Sequence, residues 1–353
     1  MYPLPSQEKL KTNLLAGSFN HTSATYKFYW FLAILDEVEM GQVFISKQVL
    51  FARMIANAWY TVNYFHVSFG VQDQIQRAIF RIKQIEGLAV DEKRSVIVQK
   101  LITSASKETS RELWYFDGEV PYRFLSPWFT AFKGNKQAIY TLSRTFENDC
   151  LYSVDEKELI INPRWVDYLA KHAAILRSFC YWHLSLYLQK FNPNVPDIPN
   201  KLIRPAQRSG LTKQRKEFWD VVIKETGPVN CIYTQRQLDI GNYAVEHFLP
   251  YAFVSHDLIW NLIPADKAFN SSKSDKLPIW DRHFEPYFQL QKKALKTFWN
   301  INPGHKLLED YLPMFPNLSA LKDLDDTTFR TRFEETVQPL ITIASNNGFE
   351  GMR

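Results

Sequence analysis

A group of prolines divides this 353-residue chain. A helical pattern starts at Asn162-Pro163, and Pro193, Pro196, Pro199 and Pro205 follow its end. Proline lacks a backbone N–H and clashes with the preceding helical turn, so no regular helix continues through such a stretch. The sequence therefore predicts a helical recognition or regulatory domain over residues 1–192, a Pro-rich basic linker over 193–210, and a second domain beyond it.

Helical spacing dominates the first part. Apolar side chains from Phe28 to Val38 repeat with the period of a helix, and Gly41 follows as a stop. Asn162 and Pro163 predict a helix N-terminus, with Trp165, Leu169, Leu176, Cys180, Leu184 and Tyr187 on its buried side. Further helices are predicted over 46–66, 72–86 and 92–107, and turns with short strands over 111–162, including a hairpin of 151–154 with 158–161.

Composition excludes several classes of protein. Hydrophobic residues make up 46% and charged residues 22%, as in soluble globular proteins. The apolar run over 173–188 is interrupted by Arg177 and His183, which favours a buried helix over a membrane span. Three widely spaced cysteines and a start without a basic, apolar leader predict a cytoplasmic protein. No Gly-rich nucleotide fingerprint is present, which argues against ATP or NAD use.

A second sequence pattern, over residues 246–278, indicates a catalytic site. Glu246-His247 stands at the end of a strand predicted to stop at Pro250, Asn261 follows, and Asn270 to Lys273 is predicted to start a short helix that Pro278 ends. Carboxylate and amide oxygens suit Mg²⁺, and a histidine takes a proton from water near neutral pH. Phosphodiester hydrolysis needs this combination.

This pattern resembles the HNH endonuclease superfamily, the ββα-metal finger, over roughly residues 228–280. It is especially similar to the HNH domain of RNA-guided CRISPR nucleases, in which an acid-His pair before Pro, a middle Asn and Asn-x-x-Lys-Ser-Asp-x-x-Pro recur. The aromatic-rich segment from Ser23 to Leu35 also resembles the start of uncharacterised bacterial HNH proteins, some of them of restriction or anti-phage type.

The resemblance implies a role for each motif residue. His247 would activate water as the general base, and Glu246 with Asn270 would bind one Mg²⁺, for which Mn²⁺ can substitute. Asn261 would brace the loop that orients the imidazole. Lys273 would lie near the phosphate and offset charge in the transition state.

Two departures stand out. The family commonly has Asp where this chain has Glu246. Many members carry paired zinc-binding cysteines, whereas Cys231 has no second cysteine in Cys231-Ile-Tyr-Thr234, so no structural zinc is expected. His256 is a rival base, although the sequence favours Ser255 capping a short helix through His256 and Asp257 with Trp260 packed inward.

Basic residues flank the finger. A net charge of +5 permits nucleic-acid binding without demanding it. DNA contact and a solvated helix face explain these clusters equally well. Candidate DNA-binding residues are Lys213, Arg215, Lys216, Lys292 and Lys293, with Lys201, Arg204, Arg208 and Lys296 nearby.

The predicted fold is mainly α with small β elements (α+β): a helical N-terminal domain, an HNH nuclease domain over 211–300, and C-terminal helices over 301–353. The helices predicted after the motif, at 284–299, 304–311 and 326–346, either pack on the finger or return to the N-terminal domain. The function expected is metal-dependent DNA cleavage in bacterial defence or restriction. DNA is the expected partner, with a defence protein and a homo-oligomer as further candidates. The alternatives are an RNase or toxin-like nuclease, and a degenerate finger that serves as a nucleic-acid-binding or assembly module.

Overall fold

The computed structural model describes residues 3–20, 22–203, 210–318 and 325–353. Packing divides the chain into two units, the first formed by Met1–Pro193 and Ile198–Arg204, the second by Asn194–Asp197 and Pro205–Arg353. Part of the predicted linker is helical, with Ile198 and Lys201 buried. Arg204, Pro205 and Arg208 lie outside the described residues.

The first unit consists of helices and one small three-stranded sheet. Its elements are α1 (Thr12–Gly17), α2 (Tyr26–Glu39), β1 (Phe44–Ser46), α3 (Lys47–Asn63), α4 (Gln74–Glu86), α5 (Arg94–Thr103), α6 (Lys107–Trp114), α7 (Val120–Phe124), α8 (Lys136–Ser143), β2 (Tyr152–Val154), β3 (Glu158–Ile161), α9 (Pro163–Gln189) and α10 (Ile198–Lys201). Short 3-10 turns lie at Tyr115–Gly118, Ser126–Trp128, Thr130–Phe132 and Glu147–Asp149.

Helix α2 forms the centre of this unit and packs against α3 and α9. Every side chain from Phe28 to Leu35 is buried, which explains why the helix is apolar on all sides. Gly41 follows it with φ +78°, as predicted for a stop. The helices predicted over 46–66, 72–86 and 92–107 are present as α3, α4 and α5, each within the predicted bounds.

Helix α9 begins as the sequence predicts. The Asn162 side chain accepts a hydrogen bond from the Arg164 N–H at 3.0 Å, and Pro163 occupies the first helical position. The predicted hairpin is present as β2 and β3, and β1 adds to give the antiparallel order β1-β3-β2. Residues 111–150 differ from the prediction, because short helical turns rather than strands fill most of this stretch.

The second unit carries the motif residues. Its elements are α11 (Thr212–Gln214), a π-helical turn (Arg215–Trp219), α12 (Asp220–Thr226), β4 (Val229–Asn230), β5 (Gln237–Leu238), β6 (Tyr243–His247), α13 (Tyr251–Val254), β7 (Leu262–Asp266), α14 (Lys267–Lys273), α15 (Trp280–Ile301) and α16 (Asp326–Asn346), with 3-10 turns at Ile259–Asn261 and Lys306–Tyr311. Mainly α with small β elements is thus the observed fold class. None of the described helices combines the length and hydropathy of a membrane span.

The segment after the finger packs back onto it. On α15, the Gln291 amide donates to the Leu262 carbonyl at 2.7 Å and to the Ile259 carbonyl at 3.1 Å. The Tyr311 hydroxyl donates to Gln291 Oε1 at 2.6 Å. Near the C-terminus, the Glu350 carbonyl accepts a hydrogen bond from the Leu277 N–H at 2.8 Å. Of the two placements left open by the sequence, packing on the finger is the one observed.

Candidate functional site

Strands β6 and β7 place the acid-His pair. They are antiparallel, with Glu246 opposite Ile263 and His247 opposite Leu262. Glu246 and His247 are the last two residues of β6, so their side chains leave opposite faces of the ribbon. Both are buried. The strand ends before Pro250, as predicted.

Helix α14 lies against this strand end and supplies a cation. The Lys273 ammonium donates to Glu246 Oε1 at 2.8 Å and to the His247 carbonyl at 2.8 Å. The Lys273 side chain is 0% exposed. Burial lowers the pKa of Lys273, and the adjacent Glu246 carboxylate opposes that shift. The structure therefore places this ammonium on the acid of the motif, and its predicted action on a phosphate stays a prediction.

Asn270 lies on α14 one turn before Lys273, on the same side of the helix. The helix starts earlier than predicted, because Asp266 rather than Asn270 caps it, accepting from the Ala268 N–H at 2.9 Å. Arg236 pairs with the same Asp266 carboxylate at 2.9 Å. Asn270 is thus a mid-helix residue whose amide is not used as a cap.

Asn261 braces the segment after His247. Its amide oxygen accepts from the Leu249 N–H at 2.8 Å, and its amide nitrogen donates to the Leu249 carbonyl at 2.9 Å. The Asn261 carbonyl accepts from the Phe248 N–H at 2.7 Å. Asn261 is 0% exposed, so these bonds have no competition from water. The two residues that follow the candidate base are therefore fixed in place.

Asp257 is a site residue that the sequence interpretation missed. Asp257 Oδ1 lies 2.9 Å from His247 Nε2. A carboxylate only accepts, so this contact assigns the ring proton to Nε2 and leaves Nδ1 with the lone pair. The predicted Ser255-capped helix was wrong: α13 ends at Val254, Ser255 takes a left-handed φ of 56°, and residues 255–258 form no helix. That reversal places Asp257 against the imidazole.

The rival base His256 has another environment. Its ring packs against Trp260 with centroids 5.3 Å apart and the two ring planes tilted by 57°, and its Nδ1 accepts from the Leu258 N–H at 3.4 Å. Trp260 packs inward, as predicted. The His247 ring is the one that Asp257 contacts.

Residues 231–279 match the family model of the HNH endonuclease. The matched segment runs from Cys231 through β6, β7 and α14, so it includes each predicted motif residue. No curated protein and no solved structure matches the chain. We call residues 231–279 the HNH finger. The match indicates nuclease activity for this part of the chain.

The donor set of the HNH finger suits a hard cation. No three His, Cys, Asp or Glu side chains in the described ranges converge as a ready metal cluster. Glu246 and Asn270 instead offer one carboxylate and one amide, and Mg²⁺ commonly binds one or two protein oxygens and keeps several waters. Among the described residues the buried Tyr233 hydroxyl has no hydrogen-bond partner, and burial followed by the charge of Glu246 raises its pKa. An unpartnered hydroxyl close to a carboxylate is compatible with a site that admits an ion or water.

Cys231 lies where a zinc-binding pair would begin. It sits in the β4–β5 turn, is buried, and its sulfur accepts from the Asp266 N–H at 3.5 Å. Cys150 and Cys180 belong to the first unit. The thiol thus has a structural hydrogen bond that ties the turn to the start of α14.

The candidate DNA-binding residues differ in exposure and in the contacts that their charged groups make. Lys292 pairs with Asp326 at 2.5 Å, and Lys296 with the same carboxylate at 3.2 Å. The Arg215 guanidinium lies over the Tyr243 ring at 4.9 Å. Lys213, Lys216 and Lys293 are exposed, which makes them the better placed candidates for phosphate contact.

Proposed function

We propose that this protein is a metal-dependent endonuclease that hydrolyses DNA phosphodiester bonds, with His247 as the general base. The observation that carries the proposal is the Asp257–His247 hydrogen bond within a segment that matches an HNH endonuclease. A base needs its lone pair, and a carboxylate on Nε2 favours the neutral tautomer that has its lone pair on Nδ1, fixes the ring and stabilises the imidazolium formed when Nδ1 takes a proton. Asn261 acts as a positioning residue through Leu249.

Glu246 and Asn270 would hold the metal, Mg²⁺ or Mn²⁺. When bound, such an ion supplies charge stabilisation for the phosphorane-like transition state and the leaving 3′-oxygen. The other steps would depend on residues of the chain itself. His247 takes the proton from water, and products end in 5′-phosphate and 3′-hydroxyl.

Lys213, Lys216 and Lys293 would contact backbone phosphates and fix position rather than read sequence. One finger makes one cut, so a double-strand break needs two protomers or two successive nicks. A role in bacterial defence or restriction rests on the resemblance of the N-terminal segment Ser23–Leu35, and a partner defence protein acting through the first unit belongs to the same proposal.

A degenerate finger that binds without cutting is the second candidate. The observation in its favour is the buried Lys273–Glu246 pair at 2.8 Å, because an ammonium on the carboxylate competes with a metal ion. This candidate predicts DNA binding that survives chelation, with no product.

The test is incubation of the full chain with supercoiled plasmid and Mg²⁺ or Mn²⁺, beside single-stranded RNA under the same conditions. We expect nicked or linear plasmid, abolished by EDTA and by His247→Ala. The matched control is His256→Ala, which removes the neighbouring imidazole and is expected to cut normally. Preferential RNA cleavage would favour an RNase, and binding without product in every arm would favour the degenerate finger.

A further inference from the structure

The first unit contains a cavity of about 600 Å³ that the nuclease proposal does not use. It lies between the α1–α2 region on one side and α7 with the following turns on the other. Its volume falls within the range of about 300–1,000 Å³ typical of small-ligand sites. Apolar side chains, among them Leu14, Val120 and Pro127, share its walls with hydroxyl groups.

Positive charge is concentrated at this cavity. Lys27, Arg123 and Lys133 all line it, and Glu119 is the carboxylate among its described lining residues. Glu119 pairs with Arg123 one helical turn away. Two cations, on Lys27 and Lys133, are therefore left without a lining carboxylate of their own.

Lys27 is the most constrained of the three. Its ammonium donates to the Ser18 carbonyl at 3.0 Å, a neutral acceptor. Burial, followed by the charges of Arg123 and Lys133, lowers the pKa of Lys27 to about 8. Like charges held together at a partly buried site cost free energy, which a bound anion would offset.

A buried lysine elsewhere in the same unit shows the contrast. Lys47 is 0% exposed and pairs with Asp117 at 2.5 Å, and Lys136 pairs with the other oxygen of that carboxylate at 2.8 Å. The fold thus neutralises a structural lysine with an acid. At the cavity no described lining residue does this for Lys27, as expected where a ligand brings the negative charge.

We propose that this cavity binds a phosphate-bearing ligand of nucleotide size. Lys27, Arg123 and Lys133 would neutralise the phosphate, and the hydroxyls of Ser126 and Thr130 would donate to its oxygens. The apolar wall formed by Leu14, Val120 and Pro127 would cover the less polar part of the ligand. A free nucleotide and the 5′-phosphate end of a short nucleic-acid strand share this chemistry.

The test measures binding to the full chain by isothermal titration at low salt. The probes are ATP, a 5′-phosphorylated dinucleotide, the same dinucleotide with a 5′-hydroxyl, and inorganic phosphate. We expect one of the two phosphorylated nucleotides to bind, and the 5′-hydroxyl dinucleotide and inorganic phosphate to bind at least about tenfold more weakly, because each lacks one part of the ligand. The phosphorylated probe that binds more tightly shows whether the ligand is a free nucleotide or the 5′-phosphate end of a nucleic-acid strand.

Two variants locate the site. Lys27→Gln and Lys133→Gln are each expected to weaken binding at least about tenfold. The matched control is Lys171→Gln, an exposed lysine of α9 outside the cavity lining, which is expected to bind normally. Lys133 is exposed, so its variant tests the site even if Lys27→Gln does not fold.

Three results would overturn the proposal. They are no binding of either phosphorylated nucleotide, equal binding of inorganic phosphate, and binding that neither variant changes. The DNA cleavage assay uses other residues, so failure here leaves the nuclease proposal intact and failure there leaves this one intact.

Discussion

Replacing Lys273 with methionine removes the cation at the centre of the HNH finger. Its ammonium contacts Glu246 Oε1 and the His247 carbonyl, each at 2.8 Å. The Lys273 and Glu246 side chains are 0% and 10% exposed, so this is a buried pair. Breaking such a pair by removing one partner costs about 3–5 kcal/mol, because the other charge stays buried without compensation.

The double variant Lys273→Met/Glu246→Gln isolates the pair. It buries no charge, so we expect it to be less destabilised than Lys273→Met alone. The double-mutant cycle should give a coupling energy of about 2–3 kcal/mol between the two side chains, near the upper end for residues in contact.

Hydrogen exchange is the suitable assay. Two compact units make one unfolding midpoint ill-defined for the full chain. Peptides that cover β6 and α14 report local opening instead. A loss of 3–5 kcal/mol should speed their exchange by about 10²- to 10³-fold or more, since each 1.4 kcal/mol is tenfold. Exchange changed by less than about fivefold, or equal in the single and double variants, would refute the reasoning.

A metal arm in the same experiment separates the two candidate functions. With Lys273 gone, Mg²⁺ becomes the available counter-charge for Glu246, so it should restore protection in Lys273→Met. The double variant lacks the carboxylate and should not respond. If Mg²⁺ protects neither protein, Glu246 is not a metal ligand and the degenerate finger is favoured.

Three further substitutions test the positioning contacts. Asp257→Asn should lower kcat by about 10²- to 10⁴-fold with little change in KM, because an amide no longer specifies the imidazole tautomer; steady-state cleavage kinetics check this, and an unchanged kcat would remove Asp257 from the site. Asn261→Leu leaves the Leu249 N–H and carbonyl unpaired at a cost of about 1–3 kcal/mol each, and protection of the amides over 248–254 should fall; unchanged protection would mean that Asn261 does not brace the loop. Asn162→Ala removes the α9 cap and its 2.9 Å bond to the Cys150 carbonyl, which should destabilise the first unit by about 1–2 kcal/mol; exchange of peptides from the first turn of α9 measures it, and an effect below about 0.3 kcal/mol would contradict the capping argument.

Local signals predicted much of this fold, and the successes share a physical cause. Asn162-Pro163 specifies a helix start through two independent effects, a side-chain acceptor and a preset φ. Pro250 predicted that β6 would not continue past it, because proline cannot donate to the strand ladder, and the strand ends at His247. The helical spacing of apolar residues predicted α2. The structure explains this pattern, because a helix that packs against its neighbours has apolar side chains where it contacts them.

The errors arise where the deciding interaction is distant in sequence. Asp266 caps α14 while it also pairs with Arg236, a residue thirty positions earlier, whereas the sequence pattern predicted that this helix starts at Asn270. Ser255 has the residue type of a helix N-cap, yet it follows a helix in a left-handed conformation. Serine fits both positions, so its residue type alone does not predict which of the two it occupies.

Asp257 shows why a catalytic motif specifies less than a catalytic site. The motif positions Glu246, His247, Asn261 and Asn270 come from the sequence, because each has a fixed spacing from the others. A carboxylate that orients the imidazole needs only to reach Nε2, and a loop can bring it from many spacings. In this chain the left-handed turn at Ser255 brings Asp257, ten residues after His247, to the imidazole. Orientation of the candidate base is thus a property of the loop fold, and the effect of Asp257→Asn measures how much of the proposed activity depends on it.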